Sequence, residues 1–132
     1  MYEQEFSHHL RVLGAKLIQM TAPQLKSSIW ADALIRRARL AGAFAYVCHH
    51  GDDTAGMVAI KVSHMNGCAV LWLPERDEHY NRIWVAQSPE PQSEEDIDNW
   101  IRQTRKHDPD LWVIEIEDKK GRPFLLENER AS

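Results

Sequence analysis

The chain has 132 residues and a formal net charge of −4, which suits one domain able to bury roughly two thirds of its unfolded surface. Mild acidity argues against a general nucleic-acid coat or a strongly basic membrane binder. The two cysteines, Cys48 and Cys68, have no zinc-ligand spacing and are too few for a disulfide framework. With no secretory signal and no apolar run of membrane-spanning length, the sequence is read as a cytoplasmic protein with free thiols. Charge is unevenly spread. Residues 1–66 hold seven basic and five acidic side chains and residues 67–132 hold nine and fifteen, so an anion-binding surface is expected in the first half.

In chain order, Phe6, Leu10, Leu13, Leu17 and Met20 recur at helical spacing and predict a helical N-terminal extension over residues 1–24. Ser27 or Ser28 can cap a helix with Trp30, Ala33, Leu34, Ala38 and Ala41 on its apolar stripe and Gly42 as its left-handed stop. Arg36, Arg37 and Arg39 lie on its outer side. Phe44 to Cys48 reads as a strand, broken by Gly51-Asp52-Asp53. Met57 to His64 and Cys68 to Leu73 flank the hairpin signal Asn66-Gly67. A two-residue turn would set Val62 opposite Leu71, Ile60 opposite Leu73 and Lys61 opposite Trp72. Arg82 to Ala86 makes a fourth strand, and Gln87 to Gln92 is a spacer within the domain.

Ser93-Glu94-Glu95-Asp96 resembles a capping box and starts a second helix, with Ile97, Trp100, Ile101 and Thr104 on one face. Pro109 stops it. From Leu111 the side chains alternate, Trp112, Ile114 and Ile116 against Val113, Glu115 and Glu117, as in a half-buried strand. A loop over Asp118 to Gly121 would return a strand through Arg122 to Leu125, pairing Glu117 with Arg122. Pro123 places that strand at an edge. Glu127 to Ser132 is expected to fray, with 129–132 as tail. The order α-β-β-β-β-α-β-β after the N-terminal extension predicts one α+β domain over residues 25–128, two-layered, with both helices on one face of a mainly antiparallel sheet.

Leu25-Lys26-Ser27, Ile29-Trp30, Arg36-Arg37, Gly42, Tyr46, Gly51-Asp52, Ala55-Gly56, Lys61-Val62 and Asp108 through Phe124 resemble a family of small alphaproteobacterial proteins catalogued as a domain of unknown function. The resemblance covers about residues 25–126 and implies no activity or site. Met20 stands where a typical member would start, so residues 1–19 are either a family-atypical helical extension or the product of start-codon choice.

Three constellations could carry chemistry. His49, His50, Asp52 and Asp53 put imidazoles and carboxylates in one turn, types that suit zinc or manganese, although adjacent strand residues point apart. An exposed polar turn is the favoured explanation. Glu115, Glu117 and Asp118 are acids of the kind that bind magnesium in nucleases, but Glu117 stands where a lysine would be required and Pro109-Asp110 is too close to them. Trp72 and Trp84, in the register above, could lie on an open sheet face beside Lys61 and Arg82 as a platform for a peptide, a single-stranded nucleic acid or a second copy. The plainer alternative is that the N-terminal helix covers them.

No nucleophile and base pair, phosphate loop or strong metal motif is present. The sequence therefore favours a small binding or interaction module over an enzyme, with no cofactor and with Arg36, Arg37, Lys61, Trp72, Arg82 and Trp84 as candidate contacts. Its partner would be a protein or anionic ligand, or the chain itself as a homodimer; nucleic acid is not favoured and a membrane is not expected. The alternative is a metal-dependent phosphoester hydrolase using the residues of the first two constellations.

Overall fold

The computed structural model describes residues 25–131, so the expected N-terminal extension and the question of its start lie outside the described residues. The elements are α1 (Ser27–Leu40), β1 (Phe44–His49), β2 (Val58–Ser63), β3 (Cys68–Arg76), β4 (Arg82–Ala86), the short β5 (Gln92–Ser93), α2 (Glu94–His107), β6 (Trp112–Glu117) and a 3-10 turn, Glu127–Glu129. Strands lie in the order β1-β6-β2-β3-β4, with β5 against β3. Among the strands named here only β2 and β6 pair in parallel; the other strand pairs are antiparallel. The fold is α+β with a mainly antiparallel sheet, as expected.

The helices, however, divide between the two faces of the sheet. Val58, Ile60, Val62, Ile114 and Ile116 share one core with Trp30, Leu34 and Ala38 of α1. Ala59, Leu71 and Val113 share a second with Ile97 and Ile101 of α2. Neighbouring residues of a strand point to opposite faces, so the expected single helical face becomes a sheet covered from both sides. The cause is local: β2 is buried at all six positions, and a strand without an exposed face needs cover on each.

At the hairpin, Met65 to Gly67 form a three-residue loop closed by the His64 N–H on the Cys68 carbonyl at 2.9 Å. Met65 (φ 65°) and Gly67 (φ 90°) both take left-handed backbone there. Ile60 stands opposite Trp72, Lys61 opposite Leu71 and Val62 opposite Val70, one residue away from the expected register. Such a slip turns a whole strand over. Trp72 therefore joins the α1 side and packs against its core, while Lys61 shares the α2 side with Leu71.

β6 has β1 on one side and β2 on the other, which leaves no ladder for a strand returning after it. Gly121 (φ 68°) and Phe124 (φ 59°) are left-handed, and residues 121–126 form no strand. Arg122 does not face Glu117; it folds back on Asp118 through Nε–Oδ2 at 2.9 Å and Nη2–Oδ1 at 2.8 Å. Leu125 then drops into the α1-side core. The C-terminal residues expected to fray are tied down, the Ala131 N–H donating to the Trp84 carbonyl at 3.0 Å.

α1 begins after Lys26, and neither serine caps it. Ser27 is buried and its hydroxyl donates to the Gly56 carbonyl at 2.7 Å. Ala31 and Ile35 occupy the buried stripe while Ala33 and Ala41 face solvent. α2 starts as the sequence implies, Ser93 Oγ accepting from the Glu95 and Asp96 N–H groups. Among the described residues no helix is long and apolar enough to cross a membrane.

Candidate functional site: an open sheet edge and the charged trough beside it

Among the described residues the sheet has two outer edges, and β1 is one of them. At the ends of β6, the Trp112 and Asp118 N–H groups donate to Met57 and Ser63 carbonyls of the β2 side at 2.8 and 3.0 Å. Alternate residues of a strand present their backbone groups to opposite neighbours, so Glu115 and Glu117 face β1. They stand opposite Tyr46 and Phe44. The N–H and C=O groups of Ala45 and Val47 consequently point away from the sheet. One of these acceptors, the Ala45 carbonyl, is taken by Arg39 Nε at 2.9 Å, a side-chain donor where a further strand would otherwise stand. Near His49 the pairing shifts by one residue at Cys48, a bulge that ends the regular edge.

Apolar side chains crowd this edge. Leu40 is 82% exposed, Phe44 64%, Tyr46 38% and Val47 37%. Exposed single residues are ordinary, but four gathered on an unpaired strand and the helix end before it mark an association surface. α2 packs on β3 and β5, and α1 packs on β1 and β6. On the α2 side, α2 reaches Val113 of β6, while Phe44 and Tyr46 of β1 beyond it stay exposed.

A charged trough borders this edge. Lys61 is 4% exposed, and its ammonium meets Glu94 Oε1 at 2.8 Å, Asp98 Oδ1 at 2.9 Å and Glu115 Oε1 at 3.6 Å. Burial alone would lower its pKa, but the bonds from Glu94 and Asp98 and the charge of Glu115 outweigh burial and raise it. Lys61 is a fixed cation. Glu94 is held below its ordinary value by its bond to Lys61, against burial, and burial raises Glu115 despite the neighbouring ammonium. Cys48 Sγ lies 3.5 Å from Glu115 Oε1. Desolvation first, then that carboxylate, push its thiol up to about 11, so it is a poor nucleophile near neutral pH. A cavity of about 120 Å³ lies between Lys61, Cys48, His49, Asp98, Arg102 and Glu115. At the open end, the Tyr46 hydroxyl donates to Glu117 Oε2 at 2.8 Å.

The residues singled out from sequence are scattered. Trp84 is 2% exposed, stacks on Trp30 with ring centroids 4.1 Å apart and donates to the Val58 carbonyl at 2.9 Å. It offers no open platform, and the aromatic surface expected with Trp72 is not formed. Arg82 lies 5.1 Å over the Trp84 ring and Arg130 5.8 Å over Trp72. Arg37 binds the Phe124 carbonyl at 3.0 Å and Glu129 at 3.3 Å. Arg36 is exposed.

The metal-reading residues also separate. His50 pairs with Asp53 at 2.6 Å and leans on Trp112. Asp52 accepts from the Thr54 and Ala55 N–H groups, and its carbonyl takes the Trp112 indole N–H at 2.7 Å. His49 and Glu115 line the trough, Glu117 binds Tyr46, and Asp118 clamps Arg122. Among the described residues, no three His, Cys, Asp or Glu side chains gather to hold a metal ion. Sequence reading missed Leu40, Phe44, Tyr46 and Val47 because edge status depends on strand order. The one local signal was β1 itself, apolar on both of its faces.

A family model described as "Protein of unknown function (DUF1491)" matches residues 25–126. The crystal structure of a DUF1491 family protein from Caulobacter crescentus is similar over 82% of this chain and 100% of that one, at 40% identity and TM-score 0.74. An NMR structure of a DUF1491 family protein from the same organism gives 84%, 100%, 40% and 0.71. The solution structure of protein Atu0922 from A. tumefaciens covers 72% of this chain and 86% of its own at 30% identity and TM-score 0.63. A search of the curated proteins returns no match. A family model spanning most of the chain, and a solved member 40% identical over 82% of it, place this protein in the DUF1491 family.

Proposed function

We propose that this protein is a small interaction module that takes up an extended segment of a protein along the outer edge of β1. The observation that carries this reading is the coincidence of outward Ala45 and Val47 backbone groups with exposed Phe44, Tyr46, Val47 and Leu40. An added strand would gain ladder hydrogen bonds from the backbone and would cover those side chains, the two components of strand-addition recognition. The trough contributes orientation: its acids, Glu115 and Glu117, flank Tyr46 and suit a basic or hydroxyl-bearing side chain on the incoming segment. Arg36 and Arg39 border the same edge from the α1 side. Two free cysteines fit a reducing compartment such as the cytoplasm.

Site-specific photo-crosslinking tests this reading, with a photoreactive phenylalanine at Tyr46 and, as a control, at Gln87 beyond the end of β4. The expected result is a discrete adduct at position 46 that Val47→Pro abolishes, since proline removes an outward N–H without touching the β6 ladder. Adducts equally abundant at both positions, or insensitive to Val47→Pro, would overturn it.

A further inference from the structure

We infer that the segment seated on β1 is β1 of a second copy, so that two sheets join into one across a two-fold axis near Tyr46. This rests on the strand-addition reading and names its partner. In an antiparallel pairing centred on Tyr46, Ala45 of one copy meets Val47 of the other, and the outward groups of both residues are those that must exchange bonds. Four ladder bonds form. On the α2 side the two Tyr46 side chains meet and Phe44 approaches Cys48 of the partner copy; on the α1 side Ala45 meets Val47. A two-fold contact requires a self-complementary strand, and this one is compatible on both faces.

The helices give the second argument. α1 packs on both β1 and β6, so its axis lies inward of β1; with each axis about half a strand spacing inward and the two β1 strands about 4.8 Å apart, the two α1 axes come to about 10 Å, the separation at which helices pack. Asp32, Ile35, Arg36, Arg39 and Leu40 line a groove on this outer face of α1. The two-fold sets the helices antiparallel, with Asp32 of each copy facing Arg39 and Arg36 of the other. Within one copy, Asp32 makes no ion pair among the described residues, and Arg39 rests on the Ala45 carbonyl, an acceptor the dimer ladder needs. Arg39 therefore guards the edge in the free chain and moves to Asp32 of the partner copy on pairing. Charge complementarity across the axis distinguishes a second copy from an arbitrary peptide.

Sedimentation velocity on the full chain is the test, with Asp32→Arg and Arg39→Asp prepared singly and then mixed. The wild type is expected to dimerise. Each single reversal should weaken the dimer roughly tenfold, because like charges then face each other. The equimolar mixture should restore it, since Arg at 32 in one variant faces Asp at 39 in the other; this rescue is beyond a variant that merely misfolds. Val47→Pro should give monomers. A wild type that stays monomeric, or a dimer indifferent to both the reversals and Val47→Pro, would overturn the inference. If the chain is monomeric yet the Tyr46 photo-adduct forms with a different protein and depends on Val47, strand addition stands and self-pairing falls; if the adduct is absent as well, both fall.

Discussion

The two edges of this sheet are treated in opposite ways. β4 is closed by the chain's own end: Arg130 bridges to Trp84, and the Ala131 N–H reaches the Trp84 carbonyl. Beneath that cover, Trp84 and Trp30 stack, and Glu129 accepts the Trp30 indole N–H at 2.9 Å. Among the described residues, β1 receives only the guanidinium of Arg39 and keeps Phe44, Tyr46 and Val47 in solvent. Unpaired edges invite association, and proteins ordinarily cover or charge them. A chain that spends its C-terminus on one edge and leaves the other with a single removable guard has an edge available for pairing.

The contrast can be broken most severely at the sealed side. Trp84→Ala is expected to cost about 3–5 kcal/mol, read from the urea midpoint, because it leaves a large void against Trp30 and frees the Val58 carbonyl. Loss of less than about 1 kcal/mol would mean that the stack is peripheral. Deleting residues 127–132 should cost about 1–3 kcal/mol by removing the Glu129 bonds to Trp30 and Arg37. It should also convert β4 into a second open edge, visible as faster amide exchange confined to β4 and α1. Unchanged exchange there would show that the tail does not close the edge.

A pH series sharpens the comparison at the corner where β6 turns away from β1. The guanidinium of Arg122, in bidentate contact, holds the Asp118 carboxyl below the usual carboxylate range despite burial. A carboxylate whose folded pKa is depressed contributes stability above its unfolded pKa and loses it as pH falls through the folded value. Wild type should therefore lose more stability than Asp118→Asn as pH falls below the ordinary carboxylate range, and the two acid-denaturation curves should converge in strong acid. Parallel curves would remove the clamp from the stability of this corner. The smallest effect belongs to the open edge: Phe44→Ala should change monomer stability by no more than about 0.5 kcal/mol, while reducing association. A large loss of stability would mean that Phe44 is part of the core.

Much of the architecture was legible because local chemistry and the observed elements agree. Gly42 stops α1, Ser93 caps α2, Asn66-Gly67 marks a hairpin, and Trp112, Ile114 and Ile116 share the α1-side core. The candidate site was much less legible. Of the six suggested contacts, Lys61 lies in the trough and Arg36 near the β1 edge, while Trp84 is sealed away on the far side of the sheet.

The sequence by itself determined where both helices and the strands from β1 to β4 and β6 lie, because 3.6- and 2-residue periodicities and capping residues act within a few positions of one another. Tertiary structure alone decided three things. One extra loop residue at Met65 turned β3 over, taking Trp72 to the α1 side; insertion of β6 between β1 and β2 removed the expected returning strand; and the same insertion left β1 at the edge. Each depends on which distant segments pair, a choice set by burying both faces of β2 and β6 at once, and no local pattern encodes the identity of a strand's neighbour.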